Sequence, residues 1–402
     1  MYLINLASNK QQNLPIMKLI IKGIVVMLAI TLLSQCEKDK ENYNVNIPDD
    51  NFLNLLIEQG VDTDGDSIIS LEEAAVVNHL SVFGPDISDL KGIEKFVNLE
   101  MLICCSTNIT ELNLDNNTKL KVINCSSNQN LTSLSVSKCT ELKELKCYKS
   151  NLTSLDLTYN GNLEILNCND NKLTELKLLY NTSLKELYCS NNNLSWVGFD
   201  VSNNTELKVL ECNNIFISLN TLDLSNHTEL RYLYCKNCSL HTLDISNSTE
   251  LIELHCSGNP SLSGLDVSNN TNLEYLICST CDLKMLDISN NPLLESLDCS
   301  NNELTSLDIS NNTKLIWFDC EENYKITNLD ISNNLELQRI DFTYMGLTSL
   351  DISKNVKLNY IDLSSMSYLD QVCVWEGQFP PTGCLLDIRY SPNVYFTTEC
   401  SK

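Results

Sequence analysis

The sequence predicts an all-β parallel solenoid with two sheets, capped at its N-terminal end by a short helical segment. Three observations carry that expectation. Leucine recurs every 21 to 23 residues, at Leu99, Leu120, Leu142, Leu163, Leu184, Leu207, Leu230, Leu251, Leu273, Leu294, Leu315, Leu337 and Leu358. Five residues after each of the first eleven stands a cysteine, from Cys104 to Cys320; Phe342 and Leu363 take that place in the last two. Each copy also divides into two halves. Leu294–Glu303 reads Leu-x-x-Leu-x-Cys-Ser-Asn-Asn and Leu304–Lys314 reads Leu-x-x-Leu-x-Ile-Ser-Asn-Asn. The second Leu and the Cys or Ile alternate with outward residues, as in a strand with one buried face. The Asn-rich ends are turn chemistry. One copy cannot bury its own leucine row, so copies must stack.

This period and pattern resemble the leucine-rich repeat family, in the variant that nests a 10-residue and an 11-residue half in each unit. About thirteen units over residues 99–366 would stack to on the order of 60 Å at ~4.8 Å per turn.

The chain of 402 residues opens on a stretch that reads as a secretion signal. Lys18 and Lys22 precede an apolar run, Ile24–Leu33, too short to span a membrane comfortably. Residues 1–16 fit no signal, so Met17 is a second possible start of a 1–35 signal peptide. Leu33-Ser34-Gln35-Cys36 resembles a bacterial lipobox, with Gln35 in place of the usual small residue. That resemblance implies lipidation at Cys36 and a membrane anchor. Residues 36–47 read as a charged tether. Its acidic start resembles export tracts of surface lipoproteins, which would place the chain in the cell envelope, on the outer-membrane surface of a Gram-negative bacterium.

Residues 48–98 are expected to cap the solenoid. Pro48-Asp49-Asp50 starts a helix to about Gln59, and a second helix is expected through about His79. Between them, Asp62 to Glu73 resembles an EF-hand loop. The resemblance implies calcium held by Asp62, Asp64 and Asp66, the Ile68 carbonyl, Ser70 and a bidentate Glu73, which meets the cation's need for six to eight oxygens. Ser67 stands where the family carries glycine. Residues 87–99 resemble the opening unit of internalin-like proteins, and cover the first repeat.

Past Leu363 the register dissolves, and residues 367–402, rich in aromatics and proline, read as a C-terminal cap. Cys373 is expected to pair with Cys400, with Cys384 the competitor. The eleven column cysteines read instead as small buried hydrophobes. Stacked strands would set their Cβ atoms ~4.8 Å apart, beyond the ~3.5–4.5 Å of a disulfide. Cys238 and Cys281 occupy the slot that Asn302 fills elsewhere.

The net charge of −25 disfavours nucleic acid and suits a basic partner or divalent cations. Four scattered histidines and the absence of a phosphate loop or nucleophile elbow argue against an enzyme. Function therefore rests on the outward residues. The Leu-Asp-Ile strand presents a uniform Asp column (Asp156, Asp200, Asp223, Asp244 and onward) beside Ser and Thr. Such uniformity reflects either side-chain bonds to the turns or a cation stripe. The Cys strand presents varied, aromatic residues: Tyr188, Tyr232, Tyr234, His255, Tyr275, Trp317 and Tyr360. That is the surface expected to bind a protein or glycan ligand; the alternative is a structural spacer with no ligand.

Overall fold

The computed structural model describes residues 43–195, 198–215 and 221–400. The signal stretch, Cys36 and most of the tether lie outside the described residues. No helix among the described residues is long and apolar enough to cross a membrane.

The chain is a parallel β-solenoid. One continuous sheet of fifteen strands runs its whole length, from His79–Ser81 to Leu385–Asp387. Thirteen of its strands are the Cys-strand segments of the repeats. Register is strict: Leu233 pairs with Leu254, Leu254 with Leu276, Leu276 with Leu297 and Leu297 with Phe318. The middle residue of each repeat strand points inward and is buried, as are the leading Leu and the Cys; Leu386 in the last strand is half-buried. Burial pushes the thiols of Cys104, Cys125, Cys147 and Cys168 well above their ordinary range, which leaves them un-ionised and inert.

The opposite face differs from the second sheet expected. Among the described residues it holds only short fragments, three of two strands and one of three. An Asp column closes the turns on this face. In nine copies the Asp side chain accepts a bond from the backbone N–H two residues ahead, as Asp244 does from Ser246 and Asp308 from Ser310, both within 3.0 Å. The chain thus turns directly after the Asp, as it also does after Asp298, Asp319 and Asp341 on the long sheet. The partners lie in the residue's own turn, not the adjacent one.

Two columns of buried asparagine hold the turns. On the Cys-strand side, Asn128, Asn171, Asn192, Asn259, Asn302 and Asn323 donate to the Cys carbonyls of their own and the preceding turn. Their oxygens accept backbone N–H groups, as Asn302 does from Leu283. Cys238 and Cys281 stand in this column and point their thiols at the same kind of carbonyl, Cys212 O and Cys256 O. On the other side, Asn291, Asn312 and Asn334 also donate twice, but their oxygens meet no donor. The left-handed turn residue is one place earlier than the offset-eight asparagine: Asn191, Asn214, Asn301, Glu322 and Tyr344 all have φ between 53° and 56°.

Both ends depart from the boundaries expected. Helix α1 spans Asp50–Glu58 and helix α2 only Leu71–Val76. His79 lies beyond α2, in the first strand of the long sheet, paired with Met101. Asp49 caps α1 and also accepts bonds from Ser88 and Asp89, tying the helices to the first repeat. At the other end the solenoid does not stop at 366. Leu385–Asp387 extends the long sheet beside Tyr360–Asp362, while Gln371–Cys373 and Tyr395–Thr397 extend the opposite face. The intervening segment hid this turn by breaking the spacing. Cys373 and Cys400 are joined as a disulfide, with Cα atoms 5.6 Å apart; Cys384 is a half-buried free thiol.

Candidate recognition face

Strict register decides which outward residues meet. Tyr232, Glu253, Tyr275, Ser296, Trp317, Arg339 and Tyr360 form one column on successive turns of the long sheet. Tyr188, Glu211, Tyr234, His255, Ile277 and Asp298 begin the next. All seven aromatic and imidazole residues singled out from sequence therefore lie on one face, in two adjacent columns. Tyr188 stands two turns from Tyr234, and Tyr360 two turns from Trp317.

These rings are laid along the sheet. Tyr234 and His255 meet edge to face at 5.0 Å between centroids. His255 Nε2 lies 2.9 Å from Glu253; burial outweighs that neighbour and holds the imidazole below its ordinary pKa. Tyr188 donates to Glu186 at 2.9 Å, and burial with that bond pushes its phenol up to about 12. Arg339 lies over the Tyr360 ring at 4.0 Å. Tyr275 is the most open of the group, at 38% exposure.

Sequence reading overlooked the other half of this face. The second column continues as Asp298, Asp319, Asp341, Asp362 and Asp387, one carboxylate per turn over five turns. The recurring Asp at the third strand position was visible in the sequence. Burial, and repulsion from Asp298 and Asp341, push the Asp319 carboxyl up to about 7. Asp319, Asp341 and Glu321 bring oxygens within 4.8 Å of one another. The face thus joins an aromatic column, which includes Arg339, to an acidic one.

The EF-hand-like loop is separate from this face. Asp62, Asp64 and Asp66 gather their oxygens within 4.8 Å, a donor set that fits a hard cation. Asp62 accepts the N–H groups of Gly65 and Ser67, the latter left-handed at φ 64°. Ile69 is buried, and its carbonyl accepts from Val45; the neighbouring Ile68 is exposed. Glu73, expected as a bidentate ligand, lies outside this cluster of three and caps the second helix. Its two oxygens take bonds from Thr63 and Ser70, closing a capping box on α2. The Ser70 N–H leads the bonds that hold its pKa down to about 2. Ser70 donates its hydroxyl to Glu73.

No protein-family model matches the chain. A 78-residue stretch is 37% identical to internalin J of Listeria monocytogenes, covering 19% of this chain and 8% of that protein's length. The solved functional domain of that internalin, which includes a cysteine ladder, matches at 35% identity with a TM-score of 0.74, over 82% of this chain and 75% of that one. A leucine-rich repeat protein of Leptospira interrogans shares the fold at 20% identity and a TM-score of 0.59, over 77% of this chain and 81% of that one. A plant peptide hormone receptor, solved as a complex, shares it at 15% identity and a TM-score of 0.55, over 82% and 64%. Sequence, register and the inward cysteine column agree: the chain belongs to the internalin-like leucine-rich repeat proteins.

Proposed function

We propose that the chain is a recognition protein of the cell envelope, anchored through a lipid on Cys36, that holds a protein partner on its fifteen-stranded face. The observation that carries this reading is the asymmetry of the two faces. The Asp column is uniform and consumed by its own turns, whereas the column from Tyr232 to Tyr360 varies from turn to turn and holds no turn; the acidic column beside it does cap its turns, as Asp298 does through Ser300. A spacer would have no use for such a difference. The aspartates favour a partner with a basic surface, and Tyr and Trp give large contact area at low entropy cost. A photo-crosslinking residue placed at 232 or 317 should yield adducts with a partner protein, and one placed at 244 or 308 should not. Adducts from the Asp face alone would overturn the choice of face. A glycan partner would give no protein adduct and would instead be retained on a glycan surface lost in Trp317→Ala.

Two attachments to this reading have their own tests. Fatty-acid labelling should disappear in Cys36→Ala; persistence rejects the anchor. Calcium held by Asp62, Asp64 and Asp66 would brace the helical cap, with Glu73 remaining in the box unless the ion draws it out. At a hundredfold excess over its dissociation constant such an ion adds ~2.7 kcal/mol. Melts with calcium and with chelator should differ, and Asp62→Ala should abolish the difference; identical melts refute the site.

A further inference from the structure

Each turn after a Cys strand sends two side chains outward, at offsets seven and nine from the leading Leu, and buries the one between them. Stacked turns therefore form two ridges with a groove between, running along one flank of the solenoid and away from the recognition face. Near the N-terminal end this groove is lined by small polar residues such as Ser106, Asn108, Ser127 and Gln129. Between Pro260 and Tyr344 it becomes a cavity of about 450 Å³. One ridge there is Pro260, Asp282, Glu303 and Tyr324, and the other is Asn301, Glu322 and Tyr344.

The two tyrosines set this stretch apart. Both rings are more than half exposed, 58% and 55%. Tyr344 sits at φ 56°, in a place that the two adjacent turns fill with Glu322 and Ser365. A bulky residue in left-handed backbone is strained, and an exposed ring earns nothing from the core. Gly346 lets the turns close up behind them: a Cβ there would fall 2.3 Å from the Tyr324 carbonyl oxygen. The fold thus tolerates strain to place two rings at one end of a groove whose walls carry carboxylates and an amide.

We infer that this flank groove binds a neutral oligosaccharide, independently of the partner face. The two ring faces suit the C–H faces of sugars, and Asp282, Glu322 and Asn301 supply acceptors and a donor for hydroxyls. Lys325 pairs with Glu303, and Tyr324 donates to the same carboxylate at 3.0 Å. That pairing offsets wall charge and favours a neutral ligand over a cationic one. Five turns at ~4.8 Å give a groove of roughly 19 Å, long enough for a short chain of sugars.

The test is calorimetry of the full chain with cellotriose, maltotriose, mannotriose and the trimer of N-acetylglucosamine. At least one should bind, and Tyr324→Ala and Tyr344→Asn should each weaken it by about tenfold or more. Asn suits the left-handed backbone at 344, so that variant keeps the turn. Trp317→Ala should leave sugar binding unchanged, which separates this groove from the recognition face. The inference is overturned if none of the four binds at millimolar concentration, or if the bound sugar ignores both tyrosine changes.

Discussion

The two faces of one solenoid are built from nearly the same half-repeat, yet they spend their outward residues differently. On the Asp face the side chain folds back on its own turn, the strand stops, and the sheet breaks into fragments. On the Cys face the sheet is continuous, its turn is held from within by a fully bonded asparagine, and the outward column from Tyr232 to Tyr360 carries no turn bond, although Asp298 to Asp387 beside it do. Asn302 and Asn312 show the difference within one copy: the first both donates and accepts, and the second only donates.

The largest effect should come where the fragmentary face is pinned covalently. Cys373→Ser, which opens a link across a sequence separation of 27, should lower stability by about 2–4 kcal/mol. Amide exchange should then quicken first at Gln371–Cys373 and Tyr395–Thr397, and later at Tyr360–Asp362. Equal loss on both faces would erase the distinction. Peptide mapping without reductant checks the pairing itself.

Next come the asparagines. Asn302→Ala should cost about 2–3 kcal/mol and Asn312→Ala about 1–2, because only the first strands a backbone N–H as well as carbonyls. Denaturant unfolding of the pair decides, and an inverted order contradicts the account of the turns.

A smaller effect sharpens the acidic column. The folded Asp319 carboxyl keeps its proton up to about pH 7, whereas the unfolded one releases it near 3.8. The folded chain holds the extra proton between those values, so stability falls as pH rises through that window. Asp319→Asn keeps the oxygen that accepts the Glu321 N–H and should remove the fall, worth about 1 kcal/mol after solvent screening. The smallest effect lies on the Asp side. His227 is buried in the asparagine column, and burial holds its pKa below 6.5. The unfolded chain takes up that proton first, so stability is lost as pH falls below about 6.5. His227→Asn should flatten that acid-side loss.

The ladder was legible because leucine spacing alone fixes which turns meet. The spacing by itself sets Tyr232, Tyr275 and Trp317, each two residues past a leading Leu, in one column. The first and last strands were not legible: His79-Leu80-Ser81 lacks the leading Leu-x-x-Leu, and the segment before Leu385 shifts the period. The roles of neighbouring turn residues were also hidden. Asn301 and Asn302 are the same amino acid, yet one is left-handed and the other buried, a difference set by stacking and not by propensity. The second role of Glu73 was hidden for a similar reason, since a carboxylate three residues after Ser70 serves a helix cap as well as it serves an ion.

The most direct test pairs one change on each face. Trp317→Ala and Asp308→Ala are each measured for unfolding midpoint and for affinity toward the partner found by crosslinking. The account predicts that Trp317→Ala keeps its midpoint and loses about tenfold or more in affinity, while Asp308→Ala loses midpoint and keeps affinity. Asp308→Ala abolishing binding with its fold intact, beside a Trp317→Ala that binds like the parent, would contradict it.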